Sequence, residues 1–165
     1  VFTRVSLAER VGRDLRLTRD LLERLPDAWM NWQPHPRAFT LAGLATHLAR
    51  LPHWGVQILR QDHHDLGAGG PPRAALEARG DILELFDRHV TEWNVALAAT
   101  SDATLASPWQ LRRGDEVLES LSREEAVDRY LLHHVIHHRG QLTVYLRAAG
   151  VPLLPIYGPT ADQRS

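Results

Sequence analysis

Cysteine occurs nowhere in the 165 residues. Disulfides, thiolate metal sites, iron–sulfur clusters and cysteine nucleophiles are thereby excluded. Lysine is missing as well, so all 19 basic residues are arginine. Schiff-base and pyridoxal phosphate chemistry need a lysine amine, and so does a Walker phosphate loop. Neither charge is in excess: 19 basic side chains stand against 20 acidic ones, a net charge of -1 with histidine neutral. A nucleic-acid partner calls for a basic excess to neutralise phosphates and is not expected. No run approaches the roughly 18 uncharged apolar residues of a membrane span. No signal peptide is visible in Val1 to Arg10, which carry charge and lack an apolar stretch, so a cytoplasmic protein without membrane contact is expected.

What is present is a globular composition. At 44% hydrophobic and 24% charged, the chain has enough apolar content for one core and too much for disorder, and one domain over 1–165 is expected. Four long helices are legible. The first starts at Ser6, with Glu9 completing a capping box, and its stripe runs Val11, Leu15, Thr18, Leu22, Leu25 until Pro26. An ordered Trp/Pro/Asn-rich loop follows from Asp27 to Phe39. The second helix is capped by Thr40 and carries Leu41, Leu44, Leu48 and Leu51; Pro52 inside it predicts a kink or break. Asp65 to Pro72 is a glycine- and proline-rich loop. A third helix follows from Arg73 to Ala99, with Leu76, Leu83, Phe86, Val90, Trp93 and Leu97 as its seam.

Residues 100–121 form a long connection, in which Trp109, Leu111, Val117 and Leu118 around Arg113-Gly114-Asp115 suggest a short hairpin. The fourth helix starts at Ser122, with Glu125 at the capping-box position, and runs to Gly150. Gly140 within it costs about 1 kcal/mol against alanine, which close packing of another helix would explain. Four helices without a convincing sheet predict an all-α bundle, with connections long enough for a crossover.

Histidine is the anomaly: ten residues, four of them in positions 133–138. His134 and His138 are one turn apart and share a face with Val127, Leu131, Leu142 and Tyr145, so they point into the bundle. His133 and His137 form a second pair rotated by about 100°, on a more lateral face. His47 lies on the buried stripe of helix two, between Leu44 and Leu51. Two imidazoles one turn apart chelate a divalent ion, and His47 supplies a third ligand while leaving coordination positions open. The spacing alone also permits a polar core in which each ring finds its own acceptor.

No glutamate follows His134, no histidine has a glutamate three residues before it, and Gly-x-Ser-x-Gly and Gly-x-Gly-x-x-Gly motifs are absent. Zinc-protease, ferritin-like, serine-hydrolase and dinucleotide sites are therefore not supported. No side chain stands out as catalytic. Gln141 is near the histidine face and placed to donate to a bound ligand. Trp32 and Trp54 either line a pocket mouth or pack. Arg139 reads as a surface or interface cation, His63 and His64 as solvated, and His89 as lateral. His35 and His53, beside prolines, carry no signal.

The segment His134-Val135-Ile136-His137-His138-Arg139-Gly140-Gln141, continuing through Leu142 to Arg147 and Gly150-Val151-Pro152, resembles the signature of the DinB-like (DinB/YfiT-like) superfamily. Pro155-Ile156-Tyr157-Gly158-Pro159, Asn31-Trp32-Gln33-Pro34, Thr46-His47-Leu48 and Trp54 extend the resemblance over most of the chain. It implies a four-helix bundle of up-down-down-up topology and a metal site of three histidines, which map onto His47, His134 and His138. It further implies zinc, nickel or another divalent ion as cofactor, a homodimer, and thiol-dependent transfer or isomerisation with a low-molecular-weight thiol and a small-molecule substrate. Metal-assisted hydrolysis and a non-catalytic, damage-inducible metal-binding role are the alternatives.

Overall fold

The computed structural model of the protein describes residues 3–69 and 74–163. The helices are α1 (Arg4–Leu22), α2 (Leu41–Arg60), α3 (Arg79–Ala98), a short α4 (Asp102–Leu105), α5 (Arg123–Val127) and α6 (His134–Ala148), with a π-helical turn, Asp128–His133, joining the last two. α2 packs against α3 and α6, and α1 packs against the same two helices. Among the described residues, no helix is long and apolar enough to cross a membrane.

The expectation of an all-α protein requires correction, because a three-stranded sheet is present in the order β1 (His63–Asp65), β2 (Pro108–Arg113), β3 (Glu116–Ser122). β2 and β3 form the hairpin suggested by the sequence, closed at Gly114 with φ 58°. That angle suits the first central residue of a two-residue turn, where glycine meets no Cβ penalty. β1 pairs in parallel with β2, His64 opposite Leu111. The buried Arg123 joins hairpin and helix end, donating to the Pro108 carbonyl at 2.7 Å and to Asp62 at 2.5 Å. The sheet is thereby held against the end of α2.

Element ends differ from expectation where local side chains compete. α1 begins earlier than Ser6: Thr3 is the N-cap, and Ser6 returns the hydrogen bond to its backbone. α3 begins at Arg79, after an irregular segment in which the Leu76 N–H donates to Thr46 Oγ1. The predicted start at Arg73 and the Gly70-Pro71-Pro72 part of the loop lie outside the described residues. Pro52 does not break α2, which is helical from Leu41 to Arg60. The ring deprives the helix of one backbone donor, and burial of Leu48, Leu51, Val56 and Ile58 around it keeps the segment in place. The Ser122–Glu125 capping box is present as read.

Close packing falls at a mid-helix glycine other than the expected Gly140. Gly140 is exposed and, among the described residues, a Cβ there meets nothing within 4 Å, so none of their helices packs on it. Gly55 is the close-approach site: a Cβ would stand 2.6 Å from Leu131 Cδ2 and 2.7 Å from the Trp93 ring. Both neighbours are fully buried. Gly55→Ala is expected to destabilise the protein by about 1–3 kcal/mol through overpacking. Chemical denaturation checks this, and an unchanged midpoint would show that Trp93 and Leu131 have room to move.

Candidate metal centre

Three half-buried histidines converge where α2 crosses α6. His47 comes from the buried stripe of α2, and His134 and His138 come from the first turns of α6. One ligand nitrogen from each lies within 4.8 Å of the others. His47 Nε2 and His134 Nε2 stand 3.1 Å apart, and the His138 ring centroid is 4.5 Å from that of His47 and 4.7 Å from that of His134. Two nitrogens bound at about 2.0–2.1 Å to a tetrahedral ion are roughly 3.3 Å apart, so the spacing suits a shared ion.

Each ring is fixed from behind. The Tyr130 carbonyl, inside the π turn that precedes α6, accepts a hydrogen bond from the His134 ring. A π turn resets helical register and makes carbonyls available to side chains. His138 Nδ1 donates to Gln141 Oε1 at 2.7 Å, leaving Nε2 as its lone-pair atom. Phe39 stacks on the His47 ring at 5.6 Å and 18°. Its carbonyl accepts from the Tyr145 hydroxyl at 3.0 Å.

Burial, then the neighbouring His138 and His134, then Arg50, push the His47 imidazole down to about 4. Burial is also the leading cause that lowers His134 and His138. Three neutral imidazoles at neutral pH are the donor set that a divalent ion requires.

The sequence pattern of the DinB family matches residues 6–164. The chain belongs to the DinB family. A DinB-like protein from Bacillus cereus shares the fold with a TM-score of 0.75 at 19% identity, over 94% of this chain and 98% of that one. A second, from Bacillus subtilis, has a TM-score of 0.71 at 17% identity, covering 92% and 96% respectively. A protein assigned to the DinB family from Exiguobacterium sibiricum has a TM-score of 0.63 at 20% identity, covering 92% and 95%. No curated protein matches the chain. At such identities the likeness is one of fold.

In this DinB-family chain, a cavity of about 330 Å³ adjoins the trio and is lined by His47 and His134 together with Arg50, Leu51, Trp54 and Gln57 from α2 and by other histidines. Trp54 forms part of that wall, 6.4 Å ring to ring from His134. Trp32 lies elsewhere, against Trp29 at 5.2 Å and edge-on to Tyr145 at 5.4 Å. Its connection to the site runs through Tyr145 and Phe39. Gln141 contacts His138 and His137, not the cavity. His133 and His137 are exposed and outside the cluster.

Several residues are placed differently from expectation. His64 is not merely solvated: it lines the cavity and packs on Trp54 at 4.9 Å. His89, expected to be lateral, is buried and donates from Nδ1 to the Ala49 carbonyl at 2.8 Å. His53, silent in the sequence, lies 2.9 Å from Glu92. Arg139 is no surface cation. It is fully buried, paired with Asp14 of α1 at 2.8 Å, and in contact with the Tyr157 hydroxyl.

The depressed histidines give a pH dependence with a definite sign. The folded His47 value of about 4 lies below the ordinary 6.5, so the unfolded chain binds the proton first. Stability of the metal-free protein is full above about 6.5 and is lost as pH falls through about 4. His47→Gln should flatten part of that loss, as read by denaturation midpoints across the window. A variant as acid-sensitive as wild type would remove His47 from the explanation.

Proposed function

We propose that this DinB-family protein is a divalent-metal-dependent enzyme that transfers a low-molecular-weight thiol to a small electrophilic substrate. The observation that carries the proposal is the convergence of the His47, His134 and His138 nitrogens beside a cavity of substrate size. A divalent ion held there supplies Lewis-acid chemistry, lowering the pKa of a thiol or water in its open position. Among the described residues, no fourth histidine or carboxylate joins the trio, which supports an open position over a purely structural staple. Zinc or nickel suits an all-imidazole donor set.

The chain's own residues bind and orient. His47, His134 and His138 present neutral nitrogens; the Tyr130 carbonyl and Gln141 fix the tautomers of two of them. Trp54 and Leu51 give the cavity its apolar wall, and Arg50 brings a positive charge to its edge. Without cysteine or lysine, the chain has no thiol or amine nucleophile of its own. In the transfer, an external thiol gives up its proton to solvent, its sulfur bonds to the electrophilic carbon, and the leaving group departs from that carbon with the bonding electron pair. A single domain over 1–165, folded as an up-down-down-up four-helix bundle and acting as a cytoplasmic homodimer, completes the proposal; the pairing of α1 and α2 each with α3 and α6 supports the bundle.

The test is a panel of small thiols and activated electrophiles, run with metal-free and with zinc- or nickel-loaded protein. Thiol-dependent turnover that a chelator abolishes and added ion restores is expected. Full activity in metal-free protein would refute the proposal, and turnover with water alone would replace thiol transfer by hydrolysis.

A further inference from the structure

The same cavity has a second nitrogen-bearing wall. His53, on α2, and His89, on α3, both line it, with ring centroids 5.0 Å apart. Glu92 is three residues beyond His89 and therefore on the same face of α3. One ligand atom from each of the three lies within 4.8 Å of the others. The buried His89 ring is held by its Nδ1 donation to the Ala49 carbonyl, which leaves Nε2 as the lone-pair atom. A backbone acceptor behind one ring nitrogen is the arrangement that orients metal-ligating histidines. His53 and Glu92 remain accessible, with side chains 38% and 41% exposed.

We propose that His53, His89 and Glu92 form a second divalent-cation site, separate from the His47 trio. Two imidazoles and a carboxylate suit a zinc-class ion; calcium and magnesium prefer oxygen donors alone. His53 follows His47 by six residues, about 9 Å along the helix axis. The two sites are therefore not a bridged pair, whose ions lie roughly 3.5–4 Å apart, and each binds on its own. The competing role for these residues is a clamp of α3 onto α2, through the His53–Glu92 bond at 2.9 Å and the His89–Ala49 bond.

Zinc titration of the full metal-free chain against a chromogenic chelator separates the two roles. Wild type should bind two equivalents and the His47→Ala/His134→Ala/His138→Ala variant one. In that variant background, His53→Ala should abolish the remaining equivalent. Glu92→Gln, which preserves a hydrogen-bond acceptor for His53 and so spares the clamp, should weaken it by about tenfold or more. One equivalent in wild type that disappears with the trio would overturn the second site, as would a second equivalent that survives both His53→Ala and Glu92→Gln. One equivalent that persists without the trio and is lost in His53→Ala would support this site while refuting the trio.

Discussion

Replacing His47, His134 or His138 by alanine should strip the ion from the trio, with an affinity loss well beyond the roughly 10–100-fold that removal of an outer-shell partner costs. Each contributes one of three converging nitrogens, and two imidazoles hold a divalent ion far less tightly than three. His133→Ala and His137→Ala should leave the trio's affinity within a few-fold of wild type, because both rings are exposed and outside the cluster. Gln141→Ala should fall between, since it removes the acceptor that orients His138. Equilibrium dialysis in the His53→Ala background, which abolishes the second site, isolates the trio. Equal losses from the inward and lateral pairs would show that the metal does not recognise one face of α6.

The second large effect concerns stability. Arg139→Met is expected to cost about 3–5 kcal/mol, because it leaves the buried Asp14 carboxylate with only the exposed Arg13, at 3.4 Å, as a cation. Burial pushes the Asp14 carboxyl up, but hydrogen bonds from Tyr157 and Arg139 outweigh it and hold it below the usual carboxylate range. The double variant Asp14→Leu/Arg139→Met should recover much of the loss, since an apolar pair carries no desolvated charge. As a reference, Arg19→Ala breaks the exposed Arg19–Asp87 pair and should cost no more than about 1 kcal/mol. Urea denaturation compares all three. If Arg139→Met proved as mild as Arg19→Ala, the buried pair would not anchor α6 to α1.

The contrast between these sets of residues shows what a sequence can reveal. His47, His134 and His138 are legible because helical periodicity assigns a face, and those faces were already marked by Leu44, Leu51, Leu131 and Leu142. The Ser122–Glu125 box is legible for the same reason: its partners are three residues apart. Arg139 was not, since its partner is 125 residues away and nothing local distinguishes a buried arginine from a surface one. β1 has only three residues, His63–Asp65, too few to display alternation, and its pairing with β2 spans a long separation. His89 is adjacent to the stripe position Val90 and faces α2, which a single-helix projection cannot anticipate. His53 was obscured by Pro52, whose predicted disruption of α2 did not occur. At the start of α1, Ser6 and Glu9 imitate a capping box, but Thr3 reaches the helix first.

The most direct measurement is anomalous diffraction at the zinc edge from crystals of the full chain grown with zinc. A peak is expected within about 2.0–2.1 Å of one nitrogen from each of His47, His134 and His138. Zinc bound in the crystal but absent from that position would contradict a metal centre on this trio.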